Sequence, residues 1–123
     1  MSQYDVVVVG SGSGGQTAAY TLTEYGLSVA LVENSARPGG VCALAGCQAK
    51  KWYYEATETV GRARHLEGRG LVQRPKMDWG AVRDEKRDFT EPIPEATIKS
   101  LKGSGIDYID GTAAFRDPET LVV

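Results

Sequence analysis

The sequence has few of the residues that form disulfides or bind metals, because its 123 residues include only two cysteines and one histidine. It also lacks an excess of either charge. Fourteen basic and sixteen acidic residues give a formal net charge of −2, and no run of like charge is long. Such a chain lacks the basic surface that attracts nucleic acids and anionic membranes. We therefore predict neither nucleic acid nor a membrane as a partner.

A long hydrophobic run is absent as well. The first apolar segment, YDVVVVG, is too short for the core of a signal peptide, has no basic residues ahead of it and leads directly into glycines. With 41% hydrophobic residues, the chain is expected to fold as one domain around one core. We predict a cytoplasmic location, where a close cysteine pair is more often catalytic, redox-sensing or metal-binding than structural.

The N-terminal third has the pattern of one βαβ unit. Residues 6–9 form a continuous β-branched run, which is typical of a strand buried on both faces of a parallel sheet. Apolar residues then recur at helical spacing over residues 14–25, and Gly26 follows where a helix C-cap is expected. Residues 27–32 are predicted to form a second strand that ends at Glu33.

The glycines between the first strand and the helix have the spacing Gly10-x-Gly12-x-x-Gly15, and Glu33 lies 18 residues after Gly15. This pattern predicts a dinucleotide site, because the glycines permit a tight turn, a close approach of pyrophosphate and close packing of helix on strand. Free N–H groups at the helix N-terminus would face the phosphates, and Glu33 would accept hydrogen bonds from a ribose. A glycine-rich turn without a ligand is the alternative. Flavin and nicotinamide cofactors share this pattern, so it does not select between them.

Both cysteines lie in the segment GGVCALAGCQAKK, at the start of a helix predicted to begin near Gly40. Residues five apart on a helix are rotated by about 140° beyond one full turn, so a disulfide between Cys42 and Cys47 requires a local distortion. Strained disulfides are readily reduced, and a helix N-terminus favours a thiolate. A zinc site is the alternative, but it needs two further ligands, and the one histidine, His65, is expected at a solvated helix end.

The rest of the chain is predicted to complete the sheet and add a hairpin. Asp78 is the expected N-cap of one helix, and Pro92 and Pro94 are expected to separate it from the next. The aromatic residues at positions 52–54 are predicted to pack their helix against the sheet or a partner subunit. The expected elements are a helix over 95–102, a third parallel strand over 106–109, and an antiparallel hairpin of residues 112–115 and 120–123.

Taken together, GSGSGG, the acid Glu33 and GGVCALAGCQAKK resemble the N-terminal part of the flavin-dependent pyridine nucleotide-disulfide oxidoreductases. Glutathione reductase, dihydrolipoyl dehydrogenase and mercuric reductase belong to that family. The segment GIDYIDGTAAFRDPETLVV is similar to the family's strand and hairpin beside the adenine of the flavin. The resemblance implies a Rossmann-like, three-layer α/β FAD-binding domain with a parallel sheet and a small hairpin or meander. The family signature GG-x-C-x4-C-x3-K is matched by Gly39, Gly40, Cys42, Cys47 and Lys51.

The resemblance also implies a role for each of these residues. Cys42 would be the interchange thiol that attacks a disulfide. Cys47 would be the thiol beside the flavin, which forms a thiolate charge-transfer contact and passes electrons. Lys51 would lie near the flavin N5 edge, and spacing alone selects it over the adjacent Lys50. Val41 stands where the family commonly has threonine, and the proline common after the second cysteine is missing. The implied cofactor-binding residues are the glycines at the pyrophosphate, the ribose acceptor, a glycine on the phosphate or flavin side, Lys51 and two backbone contacts to adenine: Gly10, Gly12, Gly14, Gly15, Glu33, Gly40, Lys51, Thr112 and Ala113.

By the same resemblance, residues 1–123 are expected to be the N-terminal part of the FAD-binding domain, with the NAD(P)-binding and dimerisation domains absent from this chain. The full-length protein would be a homodimer that passes electrons from NADH or NADPH through FAD to the cysteine pair, and then to a small-molecule disulfide or dithiol. The fragment alone would be inactive. Two alternatives stay open at this point: a dinucleotide-binding module without thiol turnover, and a redox-responsive interaction domain.

Overall fold

The computed structural model describes residues 2–123, which form an α/β fold around a parallel sheet of three strands. The strands are β1 (Val6–Val9), β2 (Val29–Glu33) and β3 (Asp107–Asp110), and β2 lies between the other two. Glu33 is in register with Asp110, so these strands end at the same edge of the sheet. The predicted α/β, Rossmann-like fold with a parallel sheet is confirmed.

Helices connect the parallel strands, as such a sheet requires. One helix joins β1 to β2, four more lie between β2 and β3, and a small antiparallel hairpin follows β3. The further elements are α1 (Ser13–Glu24), α2 (Gly40–Leu44), α3 (Cys47–Arg64), α4 (Trp79–Thr90), α5 (Ile93–Gly103), β4 (Ala114–Asp117) and β5 (Thr120–Val122).

The core lies between the sheet, α1 and α5. Strand β2 is buried on both faces, since Val29, Leu31 and Val32 are almost completely shielded from solvent. Leu101 of α5 and Ile106, just before β3, pack in the same cluster. A central strand covered on both faces explains why β2 reads as a continuous apolar run.

Strand β1 differs from its prediction. Its four valines were expected to be buried on both faces, but Val6, Val7 and Val8 are only half-buried and Val9 is 63% exposed. The physical reason is that β1 pairs with β2 alone, so its other edge has no neighbouring strand among residues 2–123.

Several predicted boundaries were also wrong by one or two residues. Strand β2 begins at Val29 because Leu27 still belongs to the helix end: its N–H donates to the Leu22 carbonyl at 3.2 Å, across Gly26 with φ +83°. Strand β3 begins one residue later than expected. The hairpin strands pair Asp117 with Thr120, so the turn contains two residues instead of the four expected.

Helices α3 and α4 form a hairpin with an aromatic seam. The rings of Trp52 and Phe89 lie 5.8 Å apart, and those of Tyr53 and Trp79 lie 6.3 Å apart. Trp52 and Tyr53 therefore pack against α4 and not against the sheet, which was one of the two predicted partners beside a partner subunit. His65 is exposed at the C-cap of α3, which confirms its predicted place at a solvated helix end.

We expect Gly15→Ala to destabilise the fold by about 3 kcal/mol, because a Cβ on Gly15 would collide with the backbone carbonyl oxygen of Gly10. Gly14 offers a matched control on the same helical turn, since a Cβ there meets nothing within 4 Å. Gly14→Ala should be neutral or slightly stabilising. Urea unfolding followed by circular dichroism measures both changes, and equal midpoints for the two variants would contradict the close packing of α1 on β1.

Candidate cofactor and dithiol site

The turn between β1 and α1 is shaped by its glycines. Gly10 has φ +100°, and its N–H donates to the Val32 carbonyl at 2.7 Å. Gly12 is the N-cap of α1 and supplies no side-chain cap. Among the described residues, the N–H groups of residues 12–15 have no hydrogen-bond acceptor, and a Cβ on Gly12 or Gly14 would meet nothing within 4 Å. Free amides facing open space at a helix N-terminus fit a pyrophosphate group.

The carboxylate of Glu33 lies beside this turn. One oxygen, Oε2, accepts hydrogen bonds from the Ser11 amide at 2.7 Å and the Ser11 hydroxyl at 2.6 Å. The other, Oε1, accepts from the Ser35 amide at 2.8 Å and has no side-chain donor among the described residues. A ribose hydroxyl could therefore donate to Oε1, while Oε2 serves the glycine turn.

These hydrogen bonds also set the ionisation of Glu33. Partial burial raises the pKa of its carboxyl, but the hydrogen bonds from Ser11, Ser35 and Asn34 outweigh that effect and hold the pKa below its ordinary value. The group is therefore a carboxylate at neutral pH and can act only as an acceptor.

The predicted adenine contacts lie at the same edge of the sheet. Thr112 accepts a hydrogen bond on its hydroxyl from the Asn34 side chain at 3.4 Å, and the Gly111 amide donates to the Glu33 carbonyl at 2.9 Å. The loop after β3 is thereby tied to the end of β2. Thr112 and Ala113 directly follow Gly111 in the chain. The bond from the Gly111 amide therefore holds the start of this loop next to the end of β2 that carries Glu33.

The cysteines lie on either side of a helix break. The amides of Ala45 and Gly46 both donate to the Val41 carbonyl, at 2.9 and 2.5 Å, which ends α2 at Leu44 and lets α3 begin anew at Cys47. The continuous helix from Gly40 that we predicted is wrong. This break is a local distortion of the kind that a disulfide between Cys42 and Cys47 requires.

Both thiols are free, and they interact. The interaction between the two sulfur groups lowers the pKa of Cys42 and raises the pKa of Cys47. Burial opposes the lowering at Cys42, whereas the Ser13 hydroxyl, the Cys47 amide and the Lys51 ammonium add to it. Cys47 is the more exposed of the two, but the thiolate is the reactive form. The lowered pKa therefore favours the thiolate at Cys42.

Helix α2 packs directly on the glycine turn. A Cβ on Gly40 would lie 2.5 Å from the Gly12 Cα, and Gly40 has φ +80°. The amide of Gly39 donates to the Ser11 hydroxyl at 2.9 Å. The dithiol segment and the predicted phosphate site are thus parts of one site.

Sequence reasoning missed three residues of this site: Ser11, Ser13 and Gly46. Gly46 could have been found, because a glycine inside a predicted helix destabilises it and so favours a break there. Ser11 and Ser13 occupy the variable positions of the glycine pattern, and their partners come from distant parts of the chain. Nothing in the local pattern indicates those partners.

The model of the pyridine nucleotide-disulphide oxidoreductase family matches residues 4–121. The chain belongs to this family. It is 32% identical over 120 residues to a glutathione reductase from Debaryomyces hansenii, an alignment that covers 92% of this chain and 24% of that protein. It is 33% identical over 123 residues to a dihydrolipoyl dehydrogenase from Thermus scotoductus, covering 100% of this chain and 26% of that protein.

A solved structure agrees with this assignment. The Cu(II) complex of the HOCl-induced flavoprotein disulfide reductase RclA from Escherichia coli superposes with a TM-score of 0.73 at 26% identity, covering 99% of this chain and 26% of that chain. The chain thus spans about a quarter of the length of these members of the oxidoreductase family. Within residues 2–123, no helix is both long enough and apolar enough to cross a membrane.

Acid should weaken the fold through Glu33. Its pKa is lowered in the folded chain, so its stabilising contribution is present above the unfolded value of about 4.3 and is lost as the pH falls through the folded value. We expect Glu33→Gln to be less stable than the wild-type chain at neutral pH and to approach it below about pH 4. Urea unfolding across this range measures the difference. Glu24→Gln, an exposed carboxyl outside the network, is the control, and a constant gap between wild type and Glu33→Gln would contradict the linkage.

Proposed function

We propose that this chain is the FAD- and dithiol-bearing part of a flavoprotein disulfide oxidoreductase. In the complete protein, electrons would pass from NADH or NADPH through FAD to the Cys42–Cys47 pair and then to a small-molecule disulfide. The observation that carries this proposal is the break between α2 and α3, which leaves two interacting thiols beside an open glycine turn. Membership of the family supports the same conclusion.

The residues of the site fit FAD. The free amides of residues 12–15 would hold the pyrophosphate, Glu33 the adenosine ribose through Oε1, and the backbone of Thr112 and Ala113 the adenine. Gly40 would lie at the phosphate or flavin side, and Lys51 close to the flavin edge. When bound, FAD would supply the electron pair that returns the cysteines from disulfide to dithiol.

The thiol pair then carries the chemistry of the substrate. The Cys42 thiolate attacks one sulfur of the substrate disulfide, forming a mixed disulfide and releasing one thiolate, which takes up a proton. Cys47 loses its proton and attacks the Cys42 sulfur, which forms the Cys42–Cys47 disulfide and releases the second substrate thiol. Two electrons leave the protein and one substrate S–S bond is broken, so the exchange balances.

The pKa order of the two thiols suits these two steps. Cys42 must be a thiolate to attack first, and its interaction with Cys47 lowers its pKa and so favours that state. Cys47 holds its proton until the mixed disulfide forms and the negative charge on Cys42 disappears. The loss of that charge removes one cause of the raised pKa of Cys47, so the second thiol becomes easier to ionise when it is needed.

Three further features belong to the proposal for the full-length protein. We propose that it is a homodimer, that it is cytoplasmic, and that its partner is a small-molecule disulfide or dithiol. Family membership supports the first and third of these, and the rarity of cysteine supports the second.

The direct test is to equilibrate the chain in mixtures of reduced and oxidised glutathione, alkylate the remaining thiols, and analyse the peptides by mass spectrometry. We expect an intramolecular Cys42–Cys47 disulfide in oxidised glutathione, and its complete reduction to two thiols in an excess of reduced glutathione. The purified full-length protein should also contain FAD whose visible absorbance changes when the pair is reduced. Recovery of two unpaired thiols at every ratio of reduced to oxidised glutathione would contradict the redox proposal and favour a dinucleotide-binding module.

A further inference from the structure

Ser11 is completely buried, and all of its polar atoms have partners. Its amide and hydroxyl both donate to Glu33 Oε2, at 2.7 and 2.6 Å. Its hydroxyl oxygen accepts from the Gly39 amide at 2.9 Å, and its carbonyl accepts from the Gln16 side chain at 2.6 Å. One small side chain therefore joins three separate segments: the glycine turn, the end of β2 and the start of α2.

The hydroxyl has a defined direction in this network. Because its proton is directed at the Glu33 carboxylate, its lone pairs are free to accept from Gly39. The hydrogen bonds run in one sense, from the Gly39 amide to the Ser11 hydroxyl and from that hydroxyl to the carboxylate. A charged acceptor at the end of such a series strengthens each bond in it.

Helix α2 depends on contacts of this kind. It has only five residues, its N-cap Gly39 supplies no side chain, and it contains no buried residue. A helix this short has little stability of its own. Its start is held from outside, by the Ser11 hydroxyl, by the close approach of Gly40 to Gly12, and by the packing of Gly39 near Ile93 and Thr97 of α5.

We propose that Ser11 is a positioning residue for the dithiol: its hydroxyl fixes the start of α2 against the glycine turn and so sets the placement of Cys42. The inference rests on the function proposed above and adds a residue to it. Ser11 touches neither thiol. It acts through Gly39, which lies three residues before Cys42 and begins the helix that carries it.

Removal of the hydroxyl has a defined consequence. In Ser11→Ala the buried Gly39 amide loses its acceptor, so the start of α2 loosens. Cys42 then moves relative to the groups that face it, which are the Ser13 hydroxyl, the Cys47 thiol and amide, and the Lys51 ammonium. A looser reduced state also has more conformational freedom to lose when the Cys42–Cys47 disulfide closes.

The experiment compares wild type, Ser11→Ala and Ser35→Ala in the 123-residue chain. Ser35 is a matched control because it lies in the loop between β2 and α2. Its hydroxyl accepts from the Arg37 amide at 3.0 Å and makes no bond to Gly39. For Ser11→Ala we expect Cys42 alkylation by iodoacetamide to require a higher pH than in wild type. The equilibrium constant for the disulfide against glutathione should fall about tenfold, which corresponds to about 30 mV. Ser35→Ala should match wild type in both.

The outcomes separate this inference from the proposed function. If the wild-type chain forms no Cys42–Cys47 disulfide, the proposed function itself fails. If wild type forms it and Ser11→Ala shows the same alkylation profile and the same disulfide equilibrium, the positioning role is overturned, even where urea unfolding shows a loss of stability.

A measurement on the unaltered chain covers the case in which Ser11→Ala does not fold. The Gly39 amide donates into a series that ends on the Glu33 carboxylate, so its proton chemical shift in NMR should follow the titration of Glu33. Gly105, whose amide donates to the Lys102 carbonyl, provides the reference resonance. If the amide proton shift of Ser11 changes as Glu33 titrates and that of Gly39 does not change, the proposal is overturned.

Discussion

Replacement of Cys42 by serine in the full-length protein should lower the rate of disulfide reduction by at least about a thousandfold and leave FAD bound. The serine hydroxyl is not ionised at neutral pH, so it cannot replace the Cys42 thiolate that the Cys47 thiol, Ser13 and Lys51 stabilise. The flavin content should persist because Cys42 is not among the predicted cofactor-binding residues. The measurement is the oxidation of NADH or NADPH with a disulfide substrate, together with the flavin absorbance of the purified variant.

The companion variant Cys47→Ser distinguishes the roles of the two thiols. It should also lose turnover, but its Cys42 can still attack, so the mixed disulfide between Cys42 and half of the substrate should accumulate. Mass spectrometry would detect that adduct on the Cys42 peptide. An adduct on Cys47 in the Cys42→Ser protein, with none on Cys42 in the Cys47→Ser protein, would reverse the assignment of nucleophile and resolving thiol.

Gly40→Ala should destabilise the chain by about 4 kcal/mol and displace the dithiol helix. Two effects add in this variant: an alanine at φ +80° is strained, and its Cβ would lie 2.5 Å from the Gly12 Cα, where only backbone atoms could give way. The clash pushes α2 away from the glycine turn. We therefore expect the loss of stability to be accompanied by a weaker Cys42–Cys47 disulfide in glutathione buffers.

The chain contains a control that isolates the backbone effect. Gly105 has φ +79°, nearly the same as Gly40, but a Cβ there meets nothing within 4 Å. Gly105→Ala should therefore show the strain alone, about 1–2 kcal/mol, with an unchanged disulfide equilibrium. Urea unfolding of both variants gives the difference. If Gly40→Ala were no more destabilised than Gly105→Ala, the close contact between α2 and the glycine turn would be refuted.

Much of the fold was predictable because its signals are local. Strand β2 carries a continuous apolar run, α1 has helical spacing that ends at Gly26, and Asp78 caps α4 by accepting from the Gly80 and Ala81 amides. Each of these depends on residues within one or two turns of each other. The glycine spacing before α1 and the segment around the cysteines are equally local, and they were sufficient to identify the family that the comparison later showed.

The errors arose where contacts that the spacing of residue types does not reveal overrule local preference. The valines of β1 have the composition of a central strand, yet Val9 is exposed because exposure depends on which strands lie alongside. Residues 40–64 have no proline and read as one helix, but the amides of Ala45 and Gly46 both turn back to Val41 and divide it. Which strands lie beside β1, and which carbonyl accepts from a given amide, are decided in the folded chain. The spacing of residue types along the sequence does not encode them.

The sequence by itself determined the fold class, the glycine turn, the acid at the end of β2 and the presence of a paired thiol motif, since each depends on residue types at short, regular intervals. Only the tertiary structure decided how these parts meet. It placed Gly40 on Gly12, joined Gly39 through Ser11 to Glu33, and gave the lower thiol pKa to Cys42. The physical reason is that a hydrogen bond or a close backbone contact requires atoms within a few ångströms, and residues 28 positions apart in the chain reach that distance only after the sheet has formed.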